Sequence, residues 1–89
     1  MMYLNYDRLL SFGSVHHAMK AEKLLLAAGI TVDSLPTPRE IDISCGECLL
    51  FMGTNQQVAM KILEDHQVCW TKLFACNMQD RVYEELDSR

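Results

Sequence analysis

Between Ser14 and Gly29 apolar side chains recur at helical spacing, with Ala18, Ala21, Leu24, Leu25 and Ala28 on one face and Lys20, Lys23 and Ala27 on another. Steps of three and four return to the same side of an α-helix, so the segment predicts an amphipathic helix with one stripe to bury. Ser14 is an N-cap residue type, and Gly29 supplies the stop. The flanking segments are too short for helices and rich in Leu, Ile and Phe, as strands are.

Residues 7–12 read as a first strand ending at Gly13, and residues 30–35 as a second, ended by Pro36-Thr37-Pro38 because proline removes a ladder donor. Residues 47–52 form a third. Gly53-Thr54 followed by Gln57 has the pattern of a capping box opening a second helix through about residue 67, with Val58, Ala59, Ile62 and Leu63 on its apolar face. Residues 68–74 read as a fourth strand. Within 77–89, the four-residue spacing of Val82 and Leu86 predicts a short terminal helix. The order βαββαβ predicts an α+β fold, the ferredoxin-like sandwich, with two helices on one face of a four-stranded antiparallel sheet. At 89 residues the chain has room for one domain, with its core in about 7–76.

In that arrangement the first and third strands are central, antiparallel neighbours. The end of the first strand and the start of the first helix then lie beside the beginning of the third strand, where Cys45 and Gly46 stand. The third and fourth strands are apolar at successive positions (Leu49, Leu50, Phe51, Met52; Trp70, Leu73, Phe74), whereas a sheet with one wet face should alternate. A cover for the second face is therefore expected, from the terminal segment or from a second subunit, and a homodimer is the expectation.

Eight basic residues against twelve acidic ones, a net charge of −4, give no electrostatic footprint for nucleic acid or an anionic membrane. No apolar run approaches the roughly 20 residues that span a bilayer. The start, Met1-Met2-Tyr3-Leu4-Asn5-Tyr6-Asp7-Arg8, lacks a basic segment followed by an apolar one, so a cytoplasmic location is expected. Its four cysteines are then expected to be thiols, metal ligands or redox groups rather than disulfides.

The chemistry concentrates in residues 36–48, a segment too long for a minimal turn. Cys45 is followed by Gly46, which lets a ligand approach the backbone. Facing the N-terminus of the first helix, the Cys45 thiol would meet unpaired N–H groups and the helix dipole, which favour a thiolate. Arg39 and a histidine would act in the same sense. His17 continues the stripe of Ala21, Leu24 and Ala28 and is the histidine expected near Cys45, whereas His16 joins Lys20 and Lys23 in solvent. His66, near the end of the second helix, reads as structural. Cys45-Gly46-Glu47-Cys48 has the C-x-x-C spacing of redox dithiols and half zinc sites, but Cys48 enters a strand and could point into the core. Cys69 and Cys76 read as small apolar residues in or near the fourth strand.

Three segments, Ser14-Val15-His16-His17-Ala18-Met19-Lys20-Ala21-Glu22-Lys23-Leu24-Leu25, Pro36-Thr37-Pro38-Arg39-Glu40-Ile41 and Ser44-Cys45-Gly46, together resemble the selenium/sulfur carrier-like family of small bacterial proteins. The resemblance covers residues 7 to 76 or so. It implies that Cys45 holds sulfur or selenium as a persulfide or selenosulfide, and that Pro36, Thr37, Pro38, Arg39, Ser44 and Gly46 frame it, with His17 nearby. The leading expectation is thus a carrier, more a binding protein than a stand-alone enzyme. Its Cys45 thiolate would take a chalcogen from a donor protein and pass it to an acceptor, with Arg39, Ser44, Thr37 and the helix start at Ser14 stabilising the anion. No cofactor is expected beyond the carried atom. The alternatives are a dithiol redox protein using Cys45 and Cys48, a metal-binding module joining those cysteines to His17, and a small-molecule sensing domain, the last argued from fold alone.

Overall fold

The computed structural model describes residues 6–38, 46–77 and 79–88. The first strand, β1 (Arg8–Ser11), leads into helix α1 (Val15–Ala27), and β2 (Asp33–Pro36) precedes β3 (Glu47–Phe51). A 3-10 turn at Gly53–Asn55 opens helix α2 (Gln56–Asp65), followed by β4 (Lys72–Asn77) and β5 (Val82–Ser88). The strands form one five-stranded sheet in the order β2-β3-β1-β4-β5, with every neighbouring pair antiparallel. The architecture is therefore α+β, with two helices, and the expected four strands become five.

Both helices end in the same closure. Gly29, at φ +82°, donates to the Leu26 carbonyl (3.0 Å) while Ile30 N–H reaches the Leu25 carbonyl (2.9 Å), a Schellman closure that needs a left-handed residue. In α2 the same closure runs from Gln67 to Glu64 (3.1 Å) and Val68 to Leu63 (2.9 Å), with Gln67 at φ +58°. Ser14 caps α1 as expected, its Oγ accepting from His17 N–H at 3.3 Å. The capping box expected at Thr54 does not form. No side chain caps α2; instead Asp7 Oδ1 accepts from Gly53 N–H at 2.6 Å, so the 3-10 turn preceding the helix is tied to β1.

The helices bury Ala18, Ala21, Leu25, Ala59 and Leu63 against Leu10, Leu49, Phe51 and Leu73 of the sheet and against Phe12 just beyond β1. Ala28 is exposed, because the stripe leaves the sheet at the helix end. Ile30, Val32, Val68 and Trp70 join this core from connections rather than from strands. Strands β2 and β4 thus start later than the apolar runs suggest, at Asp33 and Lys72, and β2 includes Pro36, which an edge strand tolerates.

The opposite face buries Leu9, Cys48, Leu50 and Phe74, with Tyr6, Leu35, Cys76 and Tyr83 packed against them. This two-sided burial is what the unbroken apolar runs of the third and fourth strands required. Since Leu9, Cys48 and Leu50 are already fully buried within one chain, the apolar pattern no longer calls for a second subunit.

The expected terminal helix is a strand. Asn77 Oδ1 accepts from Gln79 (3.0 Å) and Asp80 (3.2 Å) N–H, an Asx turn that reverses the chain, and Arg81 at φ +56° completes it. Beyond the turn, β5 takes the free hydrogen-bonding edge of β4, pairing Asn77 with Val82 and Lys72 with Ser88. That pairing outweighs the single i,i+4 apolar pair, which has nothing to bury against.

Candidate functional site

The register brings one end of every strand together. Ser11 pairs with Cys48 and with Lys72, Pro36 pairs with Glu47, and Lys72 pairs with Ser88. The last residue of β1, the start of α1, the exit of β2 and the entrance of β3 therefore share one end of the sheet. Gly46 lies on this end, where a Cβ added to it would stand 3.6 Å from Val15 Cγ2 in the first turn of α1. The sequence expectation that the start of the third strand adjoins the start of the first helix is thus met at Gly46. Arg39, Ser44 and Cys45 lie outside the described residues.

The helix start carries no acidic side chain in its first turn, so the positive end of its dipole is not offset there by a carboxylate. Thr37, the residue after β2, has its Oγ1 buried with no hydrogen-bond partner. A buried hydroxyl without a partner forfeits its solvation, so it marks a place where an acceptor or donor would be favoured. Ser14 and Thr37 thus both belong to this end, one as the cap of α1 and the other as an unused hydroxyl.

His17 is half-buried, and its Nδ1 accepts from the Cys69 N–H at 3.2 Å. That bond fixes the ring beside the segment entering β4 and leaves Nε2 as its second polar atom. His16 is exposed, as expected. His66 is the exposed C-cap residue of α2, and its backbone carbonyl, rather than its imidazole, accepts from Lys20 Nζ at 3.4 Å and ties α1 to α2.

The described cysteines differ sharply. Cys48 is fully buried on the face away from the helices, its Sγ–H directed at the Leu35 carbonyl at 3.6 Å. It does enter a strand and point into a core. Cys76 sits on β4, where burial, with a smaller contribution from the Asp7 carboxylate, pushes its thiol up to about 11, only partly opposed by Arg8. Cys69 lies near β4, as expected, but its setting is not apolar: it is exposed, at the same sheet end as Gly46 and bonded through its backbone to His17, while its neighbours Val68 and Trp70 turn into the core. Among the described residues, no three His, Cys, Asp or Glu side chains gather in a way that could hold a metal ion, and no helix is long and apolar enough to cross a membrane.

No curated protein and no solved structure matches the chain. A family match does cover residues 7–87, to the family described as "Putative Se/S carrier protein-like". Its span runs through both helices and nearly all of β5, beyond the residues on which the sequence resemblance rested, and on it the chain belongs to the Se/S carrier protein-like family.

Proposed function

We propose that this protein is a sulfur or selenium carrier whose Cys45 thiolate holds the atom as a persulfide or selenosulfide between a donor and an acceptor protein. The observation that carries the reading is the seat of Gly46 against Val15, within a chain whose family match spans residues 7–87. Cys45 directly precedes Gly46 in the sequence, which supports reading its thiol as a neighbour of the first turn of α1. The helix N-terminus and the unused Thr37 hydroxyl favour an anion at that end, and Arg39 and Ser44 are read as adding to them.

For loading, the thiolate attacks the terminal sulfur of a donor persulfide. The new S–S bond forms on Cys45 as the donor's S–S bond breaks, and the donor cysteine departs as a thiolate, so no external oxidant enters. Cys48 supports this reading over a Cys45–Cys48 dithiol, because its sulfur is enclosed by Leu9, Leu50 and Phe74. The strand order β2-β3-β1-β4 supports reading the frame as a ferredoxin-like sandwich to which β5 has been added. The cytoplasm is the proposed site of action. Homodimerisation has lost the support of the apolar strand pattern, and sedimentation measures it directly.

The test is mass spectrometry after incubation with a cysteine desulfurase and cysteine, or with selenide and an oxidised thiol donor. Expected is one added chalcogen that maps to Cys45, survives in Cys48→Ala and is absent from Cys45→Ser. A prompt Cys45–Cys48 disulfide in place of added sulfur overturns the carrier in favour of the dithiol.

A further inference from the structure

Strand β5 is exposed along most of its length, has β4 as its one neighbour among the described residues, and forms an edge of the sheet. The other edge, β2, is four residues long and ends in Pro36, a combination that blunts an edge. By contrast β5 runs for seven residues without proline, and Val82 and Leu86 stand 58% and 44% exposed on it. Between β5 and the flank of α2 opens a cleft of about 610 Å³. Trp70, Leu73, Met60 and Leu86 give it apolar walls, and Glu64 and Asp87 line it with Lys61, whose charge is already directed at Asp65 (3.9 Å).

The charge on β5 selects among occupants. The strand holds Glu84, Glu85 and Asp87 and no basic residue. A second copy pairing edge to edge would set these carboxylates against their own kind, which is unfavourable across strands. Acidic side chains on an edge also serve simply to deter self-pairing, but that role needs no open apolar cleft beside the strand. From the register, Glu84 lies opposite Ala75 and Asp87 opposite Leu73, on the helix-covered face, the face on which the cleft opens.

We propose that the outer edge of β5 and the adjoining cleft dock an extended basic segment of another protein, which adds a sixth strand. Its main chain pairs with β5, its Lys or Arg side chains meet Glu84 and Asp87, and one apolar side chain enters the cleft beside Trp70. The surface is independent of the chemistry at Cys45. The cleft runs along α2 from Gln56 to Trp70, and its Trp70 end adjoins Cys69 and the Lys72–Ser88 pair, at the end of the sheet that carries Gly46.

The probe is a capped seven-residue peptide alternating lysine and valine, with leucine in place of one lysine. A control peptide carries glutamate in place of lysine, and both are titrated into the isotope-labelled full chain and followed by NMR. Expected are shifts and slowed amide exchange confined to β5 and the cleft residues of α2, binding at least about tenfold weaker for the glutamate peptide, and weakening with salt. Glu84→Lys combined with Asp87→Lys, both at exposed positions, should reverse the preference while leaving the thermal midpoint near that of the parent. Equal affinity for the two peptides, shifts that map to β2 or elsewhere, or no response at millimolar peptide overturns the proposal. So does sedimentation showing that the free chain dimerises through β5, since the occupant is then a second copy.

Discussion

Replacing Cys48 by alanine separates the carrier from the dithiol, because the two assign its sulfur opposite duties. In the structure Cys48 is fully buried among Leu9, Leu50 and Phe74, and its thiol donates to the Leu35 carbonyl at 3.6 Å. Alanine keeps the Cβ and removes one atom of roughly methylene size, whose burial contributes about 0.8 kcal/mol. The void left in a two-sided sheet cannot fully close, and with the weak bond to Leu35 the total should reach about 1–2 kcal/mol, in the range of other single-atom core deletions. For a domain of this size each kcal/mol lowers the thermal midpoint by about 4–8 °C, so a fall of about 4–16 °C is expected by calorimetry. Sulfur loading of Cys45, measured well below the lowered midpoint, should match the parent protein. A Cys48→Ala protein of unchanged stability that no longer accepts sulfur would refute both the packing and the carrier reading.

Three further outcomes follow from particular contacts. Ser14→Ala removes the cap on His17 N–H and should cost about 1 kcal/mol in urea unfolding, with Ser14→Asp retaining most of it; no change would mean that the cap is idle. Cys76, raised to about 11, remains a thiol in the native state at a pH where the unfolded chain ionises it. Its contribution to stability is therefore complete below about 9 and is lost as pH climbs towards 11, and Cys76→Ala should flatten that part of the stability profile. Gly53→Ala would place a Cβ 2.9 Å from Arg8 Cζ, while the guanidinium is held by Gln56 Oε1 at 2.7 Å and the Asp7 carbonyl at 2.9 Å. A cost of about 1–2 kcal/mol is expected, and Arg8→Ala in the same protein should relieve part of it, a coupling that a double-mutant cycle measures.

The helical parts of this fold were legible because their signals are local. Ser14, the stripe of Ala18, Ala21 and Leu25, and Gly29 each act within a few residues, and the helix appears within a residue of its expected limits. The strands were legible as apolar runs but not as bounded elements, since Ile30, Val32, Val68 and Trp70 are buried by connections and carry the same signature as ladder residues. The fifth strand was misread because its fate is set elsewhere: Asn77 must turn the chain and β4 must offer an edge, and neither appears in the Val82–Leu86 spacing. At the site, topology could be reasoned to the neighbourhood of Gly46 and Val15, whereas the bond between His17 and Cys69 joins residues 52 apart and has no local mark.

What the fifth strand adds bears on function as well as on architecture. In four strands, β4 would be an edge ending near Trp70 and Cys69, and any partner pairing there would lie against the core itself. Adding β5 moves the free edge outward by one strand spacing, about 4.8 Å, replaces the β4 edge by one carrying three carboxylates, and leaves an open cleft where α2 stops covering the sheet. A carrier of the proposed kind has to be recognised by its partner proteins without burying the thiol that holds the atom. The proposed docking strand β5 lies beyond β1 and β4 from Gly46, three strand spacings or about 14 Å away. An extended partner segment lying along β5 could therefore anchor a donor or acceptor while leaving the start of α1 clear for exchange. This predicts that charge reversal at Glu84 and Asp87 slows sulfur transfer to and from protein partners and leaves loading by a small polysulfide unchanged. Equal slowing of both would show that β5 supports the fold of the thiol end rather than the meeting of two proteins.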